Sequence, residues 1–187
     1  MAPKERLTMP GQMPSSWMRP KRSTVVILVL ATLMAEAFLL VSSPNAGTLD
    51  ARIFYTPDGA RAFLIGLDES SRAIYRLVVT YDLGFIVVYT FALVMWVRFL
   101  RNRAALPVWV HPILAVLPGL FDLAETASIF VMLRDPENAP APLPWVAAAT
   151  TPLKWAGVWA VLAVIVWGEV KWIRFKRARR RLAGRKR

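Results

Sequence analysis

Four stretches of this chain are apolar for long enough to cross a bilayer, and they cover about residues 23–41, 72–97, 111–133 and 150–173. A hydrocarbon core of roughly 30 Å takes about 20 helical residues at 1.5 Å each, and a helix satisfies its own backbone in lipid. Each stretch therefore predicts a transmembrane helix. In the long connection after the first of them, Thr56 is placed to cap a short helix, with Pro57 at its first position and Asp58 beside its positive end. Ala60, Phe63, Leu64 and Leu67 then recur at helical spacing, which predicts an amphipathic outer helix over about residues 57–67. Such a helix packs on the span ends or lies as a lid over the bundle mouth. Asp68, Glu69, Ser70 and Ser71 form a helix start for the second span, with serines to cap it. The later connection, DPENAPAPLPW, reads as a stiff loop pinned by Trp145 at the interface. The predicted fold is an all-α integral membrane protein, a four-helix antiparallel bundle with one short outer helix. Residues 1–22 and 174–187 read as basic tails outside the membrane domain of residues 23–173.

Charge orients these elements. The N-terminal tail, the turn with Arg98, Arg101 and Arg103, and the tail from Lys171 to Arg187 are strongly basic, whereas the other two connections carry six acidic residues against few arginines. The basic segments are predicted to be cytoplasmic and both termini with them. At roughly 1 kcal/mol per near-surface charge, the C-terminal tail would hold anionic headgroups. A net charge of +12 would also suit a nucleic-acid binder. Here, however, the Lys and Arg residues gather at the ends of apolar runs instead of covering a polar surface, which argues against nucleic acid as a partner. Glu36 interrupts the first run and no small-x-small site follows it, so that run reads as an uncleaved span. The chain has no cysteine and one histidine, His111, which removes thiol chemistry, cysteine or histidine-rich metal sites and haem, and no cofactor is expected.

The polar residues inside the apolar runs carry the candidate chemistry. Counted from the outer end of each span, Glu36 lies roughly 8 Å deep, Asp82 roughly 15 Å, Glu125 roughly 12 Å, Asp122 roughly 16 Å and Lys154 roughly 6 Å. All five fall in the outer half, although two of the spans run outward and two inward. This predicts one polar cluster built by four helices. Asp122 and Glu125 share a helix face at i, i+3, and Tyr75 and Tyr89 flank Asp82 at minus and plus seven, so their phenols could donate to its carboxylate. Arg72 and Arg76 sit near the outer entrance, Thr150 and Thr151 precede Lys154 by a turn, and Gly157 opens space beside it for a neighbouring helix. Four acids then meet one deep lysine, the natural counter-ion of Asp122 or Glu125. Relief comes by protonation or by a bound cation.

The succession SRAIY at 71–75, YDLGFIVVY at 81–89, LFDLAET at 120–126 and LKW at 153–155 resembles a broad family of bacterial four-span membrane proteins. The usual forms there are Gly-Arg-x-x-Tyr, Asp before an apolar run ending in Tyr, Asp-x-x-Glu-Asn, and Lys-Trp. The likeness covers about residues 48–170, with Ser71 in place of the glycine and Thr126 in place of the asparagine. It implies a bacterial inner-membrane location and marks Arg72, Tyr75, Asp82, Tyr89, Asp122, Glu125 and Lys154, but it implies no activity. The glutamate in LMAEAF is similar to the first-span glutamate of the small multidrug resistance exporters, which trades protons for cationic drugs; those chains are much shorter and lack an outer helix.

Several functions fit these residues. The polar groups could hold the helices in register, bind a small lipid-like ligand, or carry a proton or small cation. Asp122 and Glu125, polarised by Lys154, could serve as an acid/base pair on an isoprenoid-like substrate. A small multi-span chain with a basic tail also fits an accessory subunit of a larger membrane complex. No phosphate-binding glycine loop, nucleophile elbow or metal-ligand spacing is present.

Overall fold

The computed structural model describes Thr24, Val26, Ile27, Val29, Ala31 and Thr32, then residues 47–104, 106–107 and 110–184. The six residues from the first predicted span are helical. The rest of that span, including Glu36, the N-terminal tail and residues 185–187 lie outside the described residues. Four further helices follow: α1 (Pro57–Ile65), α2 (Glu69–Ala104), α3 (Leu117–Met132), entered through a 3₁₀ turn over Pro112–Val116, and α4 (Pro142–Gly184).

Local chemistry starts and stops these helices. Thr56 is extended, and its Oγ1 accepts the Gly59 amide at 3.1 Å, with Pro57 and Asp58 in the first turn. α1 ends at Ile65, two residues before the predicted limit, with Gly66 as its C-cap and the Gly66 amide on the Ala62 carbonyl at 3.0 Å. α2 is capped by Asp68 and not by the serines: its Oδ1 accepts the Ser71 amide at 2.6 Å and the Ser70 hydroxyl at 2.8 Å. Those bonds hold the Asp68 carboxyl below its ordinary range. His111 likewise caps the 3₁₀ turn, its Nδ1 accepting the Ile113 amide at 3.2 Å.

α4 corrects the sequence reading most. It begins at Pro142, about two turns before residue 150, so the stiff loop stops short of PLPW and Trp145 stands exposed on the helix. Prolines are tolerated in a first turn because the amides there have no helical partner anyway. Pro152 then interrupts the ladder inside the helix. Beside that gap the Thr150 hydroxyl donates to the Val146 carbonyl at 2.8 Å, and the Thr151 hydroxyl lies 2.8 Å from the Ala147 carbonyl.

Among the described residues, three helical segments are long and apolar enough to cross a membrane, Glu69–Ala104, Pro112–Met132 and Pro142–Ala178, whose most apolar 18-residue stretches have mean hydropathies of 2.1, 1.6 and 1.6. α3 packs along α4, and α2 packs against both. Small residues set the close approaches. A side chain at Gly157 would come within 3.0 Å of Pro118 on α3, the neighbour that this glycine was expected to admit. Buried residues form two apolar layers. One, at the α1 end, contains Leu49, Leu64, Val79, Ile129 and Ala147. The other, at the far end, contains Phe99, Leu100, Ala115, Val161 and Ile165. Asp82, Asp122, Glu125, Thr126, Thr151 and Lys154 are buried as well and belong to neither layer.

Candidate functional site

Lys154 on α4 organises the buried polar groups. Its Nζ lies 2.7 Å from Glu125 Oε2 and 3.1 Å from Asp122 Oδ1, both on α3, and it also donates to the Asp50 carbonyl at 3.2 Å. The ammonium thus donates to Asp122 and the Asp50 carbonyl and is paired in charge with Glu125. The remaining carboxylate oxygens are held by hydroxyls. Glu125 Oε1 accepts from Tyr55 at 2.9 Å and from Thr151 at 2.6 Å. Asp122 Oδ2 accepts from Tyr89 at 2.8 Å, and Asp82 Oδ2 accepts from Thr126 at 2.9 Å. Helical spacing makes this possible, since Asp122, Glu125 and Thr126 share one face of α3 while Asp82 and Tyr89 are two turns apart on α2. Two turns of added helix ahead of residue 150 also remove the depth mismatch that the sequence implied for Lys154.

Residues 47–55 form a strap over this cluster. Gly47 starts it at φ 77°, in the left-handed region that favours glycine. The Tyr75 hydroxyl donates to Asp50 Oδ1 at 2.6 Å and accepts the Leu49 amide at 2.9 Å, while Trp155 Nε1 donates to the Arg52 carbonyl at 3.0 Å. One expectation is thereby corrected. Tyr75 serves the strap instead of Asp82, because Asp50 folds back to meet it. Arg72 stays out of the cluster: it reaches the Leu67 carbonyl at 3.3 Å and Glu69 at 4.0 Å, and Arg76 pairs with Glu69 at 2.9 Å. Such exposed pairs at a helix start contribute little to stability.

Tyr55 ties the strap to Glu125. Burial holds its phenol above the ordinary range, and the Glu125 carboxylate beside it pushes the same way. Because the folded value exceeds the unfolded one of about 10, this contribution to stability is complete below that pH and is lost as pH rises toward the folded value. The wild type is expected to lose stability between about pH 10 and 12 faster than Tyr55→Phe. Thermal unfolding across that range checks this, and parallel curves would show that Tyr55 ionises freely.

A cavity of about 530 Å³ opens beside the cluster. Its walls are mainly apolar and aromatic, including Val29, Phe85, Ala92, Leu93, Trp96, Trp155 and Leu162. Asp50, Asp82, Tyr89, Asp122 and Lys154 form its polar part, with Thr32 and Thr48. Glu125 is fully buried, does not line the cavity, and bonds only within the protein, so it anchors Lys154 and cannot touch a ligand there. An ammonium clamped between two carboxylates offers no lone pair, which removes Lys154 as a nucleophile. Among the described residues, no group of three or more His, Asp or Glu side chains could hold a metal ion.

The structure thus brings together Asp82, Tyr89, Asp122, Glu125 and Lys154, places Tyr75 next to them through Asp50, and leaves Arg72 outside. Sequence reasoning missed Asp50 and Tyr55. Both lie in a connection with no periodicity, and only the turn-forming glycine at 47 marked the strap. Compared with family models, curated proteins and solved structures, the chain matches none of them.

Proposed function

We propose that this chain is a small multi-pass protein of the bacterial inner membrane that binds a single-chain, lipid-like ligand in a pocket inside a four-helix antiparallel bundle. Both termini are cytoplasmic in this reading, and the strap and α1 face outward. The observation that carries it is the cavity itself, about 530 Å³ with apolar walls and charged groups at one side. Ligand sites are typically concave, mostly apolar and furnished with a few placed polar groups, within roughly 300–1,000 Å³. The three apolar helices support the membrane location, and the six helical residues described between Thr24 and Thr32 support a first span. The pairing of Asp82 with Thr126, of Tyr89 with Asp122 and of Thr151 with Glu125 supports neighbouring helices that run in opposite directions. The basic C-terminal stretch then meets anionic headgroups on the cytoplasmic side.

Mass spectrometry of the protein extracted in native lipid tests the reading. The wild type is expected to retain a small molecule that Ala92→Trp, which fills the cavity from α2, does not. Equal retention by a folded Ala92→Trp variant would place the ligand elsewhere, and no retained molecule in either would remove the binding role.

A further inference from the structure

From the donor and acceptor inventory of the cavity we infer that the ligand's head is a protonated amine, received by the free oxygen of Asp82. This inference rests on the binding role proposed above and names the chemistry of that same site.

The tryptophan N–H groups that line the cavity are already committed, and the Lys154 ammonium is matched by the protein's own carboxyl groups. Lys154 donates to Asp122 and the Asp50 carbonyl and is ion-paired with Glu125. Trp155 Nε1 donates to the Arg52 carbonyl and Trp96 Nε1 donates to Glu169 at 3.1 Å. The Tyr89 hydroxyl is spent on Asp122. A phosphate or carboxylate head would face the carboxyl groups of Asp50, Asp82 and Asp122, beside a Lys154 ammonium already paired with Asp122 and Glu125. Burying an anion among carboxyl groups is costly.

A spare acceptor lies at Asp82. Asp82 is only 8% exposed, lines the cavity, and accepts the Thr126 hydroxyl on Oδ2 alone. Its Oδ1 receives no hydrogen bond from the described residues. Lys154 does not compete for it, because its charge is matched by Asp122 and Glu125. The wall chemistry agrees: Phe85, Trp96 and Trp155 put aromatic rings around the space, and the negative face of an aromatic ring attracts a cation. The volume sets the body. At about 30 Å³ per water-sized group, the cavity takes on the order of 15–20 non-hydrogen atoms, which suits one hydrocarbon chain.

The test uses the full chain in a non-ionic detergent and four amphiphiles with the same dodecyl tail: the ammonium, the alcohol, the carboxylate and the phosphate. Saturable binding of each is measured for the wild type and for Asp82→Asn, which keeps an oxygen for the Thr126 hydroxyl. Dodecylammonium is expected to bind about tenfold to hundredfold more tightly than dodecanol, as a charge-assisted hydrogen bond requires, with the anions weaker still. Asp82→Asn is expected to abolish that preference. An alcohol or anion that binds the wild type as tightly as the amine would overturn the head assignment and leave the pocket reading standing. A preference that survives in Asp82→Asn would overturn the role of Asp82. Saturable binding by none of the four would overturn both. The comparison of heads on the wild type needs no variant, so the inference stays testable even if Asp82→Asn fails to fold.

Discussion

Replacing Lys154 by methionine is expected to cost about 3–5 kcal/mol of stability, the largest effect of any single change at the site, because it strands two buried carboxylates. Glu125 is fully buried and Asp122 is 5% exposed, and their only cationic partner among the described residues is Lys154. The attraction itself is not the main quantity at stake. A buried ion pair roughly offsets its own desolvation, so what the variant loses is the compensation for charges that stay behind. Removing those charges as well should therefore restore stability. The triple variant Lys154→Met, Asp122→Asn, Glu125→Gln is expected to recover more than half of the loss, a non-additivity that groups in one network show. Denaturant unfolding of the detergent-solubilised chain measures both. A loss below about 1 kcal/mol for the single variant would mean that water reaches the cluster and the clamp is not buried in the working protein.

The second large effect concerns shape. At Gly119, near the start of α3, a side chain would drive its Cβ into Thr90 Oγ1 and to 3.1 Å from Thr90 Cβ and Cγ2 on α2. Gly119→Ala is expected to destabilise by about 3 kcal/mol, toward the top of the range for overpacking, since both partners sit on rigid helices. Thr90→Ala removes the Oγ1 clash and one of the two contacts at 3.1 Å and should rescue most of that loss. By itself Thr90→Ala should cost little, because the buried Thr90 hydroxyl makes no hydrogen bond among the described residues. The same unfolding measurement decides it. A Gly119→Ala protein as stable as wild type would show that α2 and α3 pack further apart than the structure has them. The two sets of variants also separate the forces at work: the Lys154 series titrates buried charge, whereas the Gly119 series titrates helix separation with the charges untouched.

Much of the site was legible because helical periodicity converts sequence distance into direction. Asp122 and Glu125 at i, i+3 had to share a face, and the depth count placed Asp82, Lys154 and that pair within reach of one another. Gly157 was readable as a point of close approach, and Pro118 fills it. Depth counting failed in detail at Lys154, since it assumed that a proline-rich stretch cannot be helical. Pro142 and Pro144 stand in the first turn, where a missing amide costs nothing, so α4 starts earlier and Lys154 sits deeper.

Helices are local objects, specified by hydrophobic runs, caps and the need to satisfy backbone groups within the segment. The sequence by itself therefore determined the apolar helices, the cap and start of α1, and the set of carboxyl and amine groups that lie at similar depth. Tertiary structure alone decided which hydrogen bond each of those groups makes. Tyr75 turns to Asp50 and not to Asp82, Tyr55 crosses from the strap to Glu125, and Asp82 keeps one oxygen free at the cavity. Those choices depend on contacts between residues 25 to 70 positions apart. No periodicity carries that information, because a connection such as residues 47–55 has no repeat to set its path, and its partners exist only once the helices have packed.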